Sequence, residues 1–187
     1  NSIRVASHGG AVYLEFLQTS GAGRYRAAES SPGADDALDF TASDSSFDIL
    51  GAQPDVPAGA QLVIMNLGTG SGADAYAGDN RTAIRSLSGG QLGFTSFMFP
   101  YESPSQRFFV VEGPVTYVCD PAAGTLTRHA GYPISASQAT PPASGDRLAC
   151  MALTEPLEAA VVSAPHSTLL VTPKRSSFPS RLARPPK

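Results

Sequence analysis

The chain is poor in charged residues and in cysteine, and it has no long apolar run. Charged residues make up 16% of its 187 residues, and two residues are cysteines. No stretch reaches the roughly 18 consecutive apolar residues of a membrane-spanning helix, so the sequence predicts neither a span nor a signal peptide. Neither cysteine has a second cysteine or a histidine at zinc-ligand spacing, so no zinc site is predicted.

Glycine and proline are abundant, with 18 and 16 residues. Both interrupt helix interiors, which argues against long helices. A hydrophobic content of 42% is enough to bury a core in one domain. We therefore predict an α+β, mostly β fold of antiparallel sheets packed face to face. A short helix is expected at 73–77 or 154–162. The predicted strands are 3–5, 12–17, 39–41, 47–49, 61–65, 83–87, 91–94, 107–112, 115–119 and 125–129, with a further strand at 168–172.

Charge divides the chain into a body and a tail. Five of the 13 basic residues lie at the end of the chain, which leaves 8 basic against 16 acidic residues in 1–173, a balance of −8. These five are Lys174, Arg175, Arg181, Arg184 and Lys187. We predict a head domain over 1–172 and a basic, Pro- and Ser-containing tail over 173–187 without fixed structure. An acidic body repels phosphates, so no nucleic-acid partner is expected.

The clearest local pattern is a β-hairpin that carries one cysteine. Residues 115–119 alternate as a half-buried strand does, and residues 125–128 resume an extended pattern. Between them Pro121 presets the backbone for a turn and Gly124 tolerates positive φ. Cys119 therefore lies on a strand beside a tight turn.

This hairpin, within Pro114–Ile134, resembles the corresponding segment of the MshO proteins. These are minor pilin-like subunits in the biogenesis of the mannose-sensitive haemagglutinin type IV pilus, and they are similar to the J-type minor pseudopilins. The ordered resemblance covers about residues 1–150 and stops beyond Cys150. Its other segments are 1–5, 13–16, 23–26, 38–40, 47–50, 61–63, 66–68, 72–80 and 103–108.

The resemblance implies a pilin-like head from which a long N-terminal helix is missing. In such proteins that helix anchors the subunit in the inner membrane, and the head lies on the periplasmic face or in a surface pilus. The implied function is non-enzymatic: assembly or priming of the pilus through contacts with other minor subunits and the assembly machinery. No cofactor is implied.

Export implies a disulfide between Cys119 and Cys150, because the periplasm is oxidising. Two buried free thiols are the alternative. Two other functions also stay open. A surface- or carbohydrate-binding module predicts a shallow groove of exposed aromatics and amides, and a secreted hydrolase predicts convergent carboxylates or a Ser-His pair. No catalytic residue is assigned, because His8, His129 and His166 fit surface or turn positions.

The loop over 68–80 is the remaining polar motif. Residues 68–73 fit a dinucleotide-binding fingerprint, but Gly78 interrupts the required helix and no acidic residue follows at the required distance. Asp74, Asp79 and Asn80 are weak candidate ligands for Ca²⁺, too few by themselves to hold it. We read the segment as a solvated loop without a metal.

Aromatic residues crowd into 94–109, where alternate spacing favours core positions. Three of them, Phe97, Phe99 and Tyr101, could instead form an exposed apolar edge for a neighbouring subunit.

Overall fold

The computed structural model describes residues 2–142 and, for their backbone, residues 146–152. The predicted helix at 154–162, the strand at 168–172, His166 and the tail over 173–187 lie outside the described residues. The elements are β1 (Arg4–His8), β2 (Ala11–Arg24), β3 (Asp44–Asp48), β4 (Gln61–Ile64), β5 (Arg81–Ser88), β6 (Gln91–Phe97), β7 (Arg107–Asp120), β8 (Thr125–Ala130) and β9 (Asp146–Ala152).

The nine strands of the described residues form one antiparallel sheet, with seven of them in the order β1-β2-β7-β4-β5-β6-β3. Strand β8 pairs with β7 and β9 pairs with β8, so they branch from this path. The sheet bends within β5, where residues 81–83 pair with β4 and residues 84–88 pair with β6. A register shift between Ile84 and Ser86 marks the bend, because the extra residue of a bulge turns a strand.

The curled sheet closes on itself at one end. Tyr25, just after β2, makes an isolated bridge to Ile49, just after β3. Backbone bonds from Arg26 N to Asp48 O at 2.9 Å and from Leu50 N to Arg24 O at 2.8 Å reinforce the closure. Strands β2, β7, β4, β5, β6 and β3 thus surround a barrel-like interior. Its main core residues are Tyr25, Leu38, Phe47, Ile49, Ala60, Leu62, Ile64, Leu92, Phe94, Phe99, Phe108 and Val110.

Position 23 requires glycine because the backbone of β2 passes very close to the ring of Phe108. A Cβ atom there would lie 2.6 Å from the ring of Phe108, which is fully buried. Such contacts do not occur between unstrained atoms, and a ring fixed on all sides cannot move away. The glycine therefore lets β2 pass over the ring.

The long strands β2 and β7 extend beyond the barrel, where β1 pairs with β2, β8 pairs with β7, and β9 pairs with β8. Leu17 packs with Val63 and Val111 in a second cluster, on the outer face of the sheet. Side chains alternate along a strand, so Phe16 and Leu14 share the inner face with the barrel core, and Glu15 lies on the outer face.

The predicted mostly-β fold is confirmed, and β7–β8 form the predicted hairpin, with Cys119 opposite Leu126. The described residues contain no helix, so the α part of the predicted class has no support there. No helix able to span a membrane occurs among them either. The sheets expected to pack face to face are one continuous curled sheet instead, because β5 bends rather than ends.

Two local predictions are wrong. No helix forms at 73–77, because Ala73 is bridged to Gly68, residues 75–80 are turns, and the Asp74 carboxylate accepts from Tyr76 N. Residues 39–41 do not form a strand, because the Asp39 carboxylate accepts from Thr41 N at 2.6 Å. Such side-chain bonds to nearby backbone compete with regular structure.

Candidate functional site

Where it leaves the barrel, the inner face of β1, β2 and β7 is apolar and is not covered by any other part of the chain that the structure describes. Among the described residues, Ile3 is 63% exposed, Val5 60%, Val12 40% and Leu14 38%. Phe16 stacks on Tyr117 with the ring centroids 6.2 Å apart. We call this surface the open face, and its further members are Cys119 and Leu126.

Strand register makes the open face continuous. Val5 lies opposite Leu14, which lies opposite Tyr117 on β7. In the next row Val12 lies opposite Cys119, and Cys119 lies opposite Leu126. Directly opposed side chains touch, so these rows form one apolar patch. Contiguous exposed apolar patches on proteins commonly mark interaction surfaces.

The sequence carries a signal for this face that the prediction did not use. In β2, Ala11, Tyr13 and Leu17 are apolar at odd positions. Val12, Leu14 and Phe16 are apolar at even positions. A strand that is apolar on both sides is typical of a sheet covered on both faces. Here one side is covered and the other is open.

The covered, outer side contains a buried polar network around Glu15, which is 1% exposed. The Arg4 guanidinium meets Glu15 Oε1 through Nε at 2.8 Å and Nη2 at 2.6 Å. Glu15 Oε2 lies 3.1 Å from Thr116 Oγ1 and 3.0 Å from Tyr132 Oη, and the two hydroxyls also contact each other, so their two hydrogens serve three contacts. The register explains the grouping, because Arg4, Glu15 and Thr116 lie opposite one another on three adjacent strands.

Arg4 also holds the segment that covers the outer face, residues 131–138, which we call the strap. Its Nη1 donates to Ala136 O at 2.7 Å and its Nη2 to Ser135 O at 2.9 Å. The guanidinium lies 3.6 Å from the ring centroid of Tyr76, in the loop that follows β4. One side chain thus joins the strap, the loop and two strands. This fits a structural role better than a catalytic one.

Burial raises the pKa of Tyr132 to about 12 from 10.0, and the Glu15 charge adds to this effect while a bond to Thr116 opposes it. Burial likewise raises the pKa of Tyr76, with a further contribution from Glu15. In both cases the folded chain favours the neutral phenol over the phenolate.

We expect the contribution of Tyr132 to the free energy of unfolding to be lost in alkaline solution as the pH rises from about 10 to about 12. A raised folded pKa means that the tyrosine contribution is complete below the unfolded pKa of 10.0 and vanishes as the pH rises through the folded pKa. Urea unfolding at a series of pH values measures this loss. Tyr132→Phe should make the loss smaller; an unchanged pH dependence in that variant would contradict the assignment to Tyr132.

The two cysteines lie on strands that are not neighbours. Cys119 lies half-buried on β7. Cys150 belongs to β9, opposite Thr127, and β8 separates the two strands. Two strand spacings amount to about 10 Å, and the Cα atoms of a disulfide lie less than about 7 Å apart. The disulfide stays a prediction, and this strand order does not favour it.

The loop over 68–80 is closed by its own hydrogen bonds. A bridge joins Gly68 to Ala73, and no helix begins there, so the dinucleotide fingerprint lacks its helix. Asp79 Oδ2 accepts from Asp74 N at 3.4 Å. Asn80 Nδ2 donates to the carbonyls of Ile64 and Ala73. The three candidate calcium ligands therefore stabilise the loop itself.

The aromatic candidates separate by burial. Phe99 is 1% exposed and belongs to the barrel core, the position that alternate spacing favours, so the alternative of a surface edge is wrong for this residue. Phe97 is half-buried against that core, 5.0 Å from Phe99 between ring centroids. Tyr101 is 47% exposed and remains available for contact.

The structure does not bring the described histidines into a site. His8 lies at the exposed end of β1, and His129 on β8 contacts Thr127 Oγ1 at 3.2 Å. Within the part of the chain that the structure describes, no three His, Cys, Asp or Glu side chains are grouped to hold a metal ion.

Comparisons of the chain with known protein families, with curated proteins and with solved structures gave no match.

Proposed function

We propose that this chain is the head of a minor pilin-like subunit that acts in type IV pilus assembly through contacts with neighbouring subunits. The observation that supports the proposal is the open face, which exposes Val5, Val12 and Leu14 together on one side of a sheet. Burying such a face contributes roughly 25 cal/mol per Å² of apolar surface, which is enough to drive association. The resemblance of residues 1–150 to minor pilin-like proteins supplies the biological setting.

The position of the open face also fits this role. It continues the apolar side that forms the barrel core, so an element of another subunit packed there would extend the core of this one. Interfaces with a fully buried apolar centre are typical of permanent assemblies. The fold would then be completed by its partner.

The test is surface piliation of the cell that encodes the chain. Deleting the gene, or replacing it with the double variant Val5→Asp, Leu14→Asp, should reduce the number of pili by about tenfold or more, because a carboxylate buried without a partner costs several kcal/mol. Both residues are exposed in the isolated head, so the variant should fold normally. Electron microscopy gives the pilus count, and thermal unfolding of the purified head checks its fold.

Leu67→Asp is the matched control, because Leu67 is 47% exposed and lies in the loop after β4, outside the open face. It should leave the number of pili unchanged. Normal piliation after gene deletion would refute the pilus role, whereas equal losses for the control and the double variant would refute the role of the open face.

A further inference from the structure

Strand β7 has a gap along one of its edges. Strand β2 pairs along nearly all of β7, whereas on the other edge β4 covers residues 108–111 and β8 covers residues 116–120. Residues 112–115 therefore have no strand opposite them on that edge within the described residues. An unpaired strand edge exposes backbone N–H and C=O groups that a ligand or another chain can bind.

Pro114 determines the chemistry of the gap. Leu17, its partner on β2, donates its backbone N–H to Ser2 Oγ at 3.4 Å, on the side away from β7. The N–H and C=O of one strand residue point to the same side, and opposed residues of an antiparallel pair point both inward or both outward. Pro114 therefore directs its carbonyl into the gap. It has no N–H, so the gap gains an acceptor without a donor.

A cavity of about 420 Å³ occupies this gap, between β7 and the start of the strap. Among the described residues that line it, Glu112 carries the one charge. Val115, Tyr132 and Pro133 form apolar walls. The cavity thus combines a carboxylate and a carbonyl with apolar surface.

The polar neighbours of Glu112 leave it available to a ligand. Gln18 Nε2 donates to Glu112 Oε1 at 3.2 Å, and Gln18 Oε1 accepts from Arg128 Nη2 at 2.9 Å. The Gln18 amide is therefore engaged at both ends, by Glu112 and by Arg128. Glu112 itself is exposed, and residues 1–173 carry a balance of −8, which favours the approach of a cation.

We propose that this cavity binds the side chain of a lysine or arginine of a protein partner. The charged head pairs with Glu112 and donates to the Pro114 carbonyl, and the aliphatic stem lies along Val115 and Tyr132. Lysine and arginine suit a cavity of this kind because their stems are apolar and their heads are charged. The inference does not depend on a pilus role, since any basic segment of a partner would serve.

The probe is the tripeptide acetyl-Gly-Lys-Gly-amide, compared with the same peptide carrying norleucine or glutamate in place of lysine. Titration followed by NMR should shift the amide signals of Gly113, Val115 and Gly131 in a saturable manner with the lysine peptide. Glu112→Gln should weaken this binding by about tenfold, because it removes one charge-assisted hydrogen bond. The same loss is expected for the norleucine peptide on the unchanged protein.

Glu102→Gln is the matched control, because it removes the same charge at an exposed position that does not line the cavity. It should leave the affinity within about twofold, because exposed charges interact weakly. If both variants lost the same affinity for the lysine peptide, net charge alone would explain the effect, and the proposal would be overturned. Equal binding of the lysine and norleucine peptides, or no saturable shift with the lysine peptide, would also overturn it.

Discussion

Replacing Arg4 with alanine should lower the free energy of unfolding by about 3–5 kcal/mol, because it leaves the Glu15 carboxylate buried without its counter-ion. Glu15 is 1% exposed, so water cannot replace the lost partner. The same change removes the contact with the Tyr76 ring and two bonds to strap carbonyls. Urea unfolding of the purified head measures the loss, which corresponds to a fall in Tm on the order of 10 °C.

The location of the effect can be tested as well as its size. Amide hydrogen exchange should become faster in the strap and in the loop around Tyr76 together, because Arg4 joins both to the sheet. Arg107→Ala is the control, since this arginine is exposed on β7 and should change stability by less than about 0.5 kcal/mol. Equal effects of the two substitutions would show that the network is not a major source of stability.

Replacing Phe47 with alanine should cost about 3–5 kcal/mol of unfolding free energy, because a fully buried ring leaves a cavity that its neighbours cannot fill. Phe47 is the centre of the barrel aromatics. Its ring centroid lies 6.1 Å from that of Tyr25, 5.8 Å from that of Phe94 and 5.2 Å from that of Phe108. Chemical denaturation with the linear extrapolation of free energy measures the loss.

Phe109→Ala provides the matched comparison for Phe47→Ala. The two substitutions remove the same atoms, but Phe109 is 38% exposed on the outer face. Its loss should cost about 1 kcal/mol, since less apolar surface returns to water. Similar costs for the two variants would mean that the barrel interior is not the centre of the core.

Much of the strand content was predictable, because it follows from local alternation. The alternation in 115–119 and 125–129, with Pro121 and Gly124 between them, predicts the hairpin, and the pairing of β7 with β8 confirms it. The patterns at 107–112 and 115–119 were predicted as two strands, but they form the single strand β7. Proline lacks an N–H and so normally ends strand pairing. Here the strand continues, because the backbone of Pro114 points to an edge that has no neighbouring strand among the described residues and needs no donor.

The buried network was not predictable from local patterns. Glu15 stands between apolar residues as a solvent-facing residue of a strand would, yet it is buried. Its burial depends on Arg4, Thr116 and Tyr132, which come from distant parts of the chain. A charge can be buried only where such partners converge, and strand order decides that convergence.

Local patterns are enough to establish that the chain is β-rich, that 115–129 is a hairpin and that the body is acidic, because these follow from alternation, turn residues and composition. The curling of the sheet, its closure through Tyr25 and Ile49, and the burial of Glu15 depend on contacts between distant segments. The tertiary structure also leaves Val5, Val12 and Leu14 uncovered by the rest of the described chain. The physical reason is that alternation assigns side chains to two faces of a strand, whereas the folding of distant segments determines which face is covered.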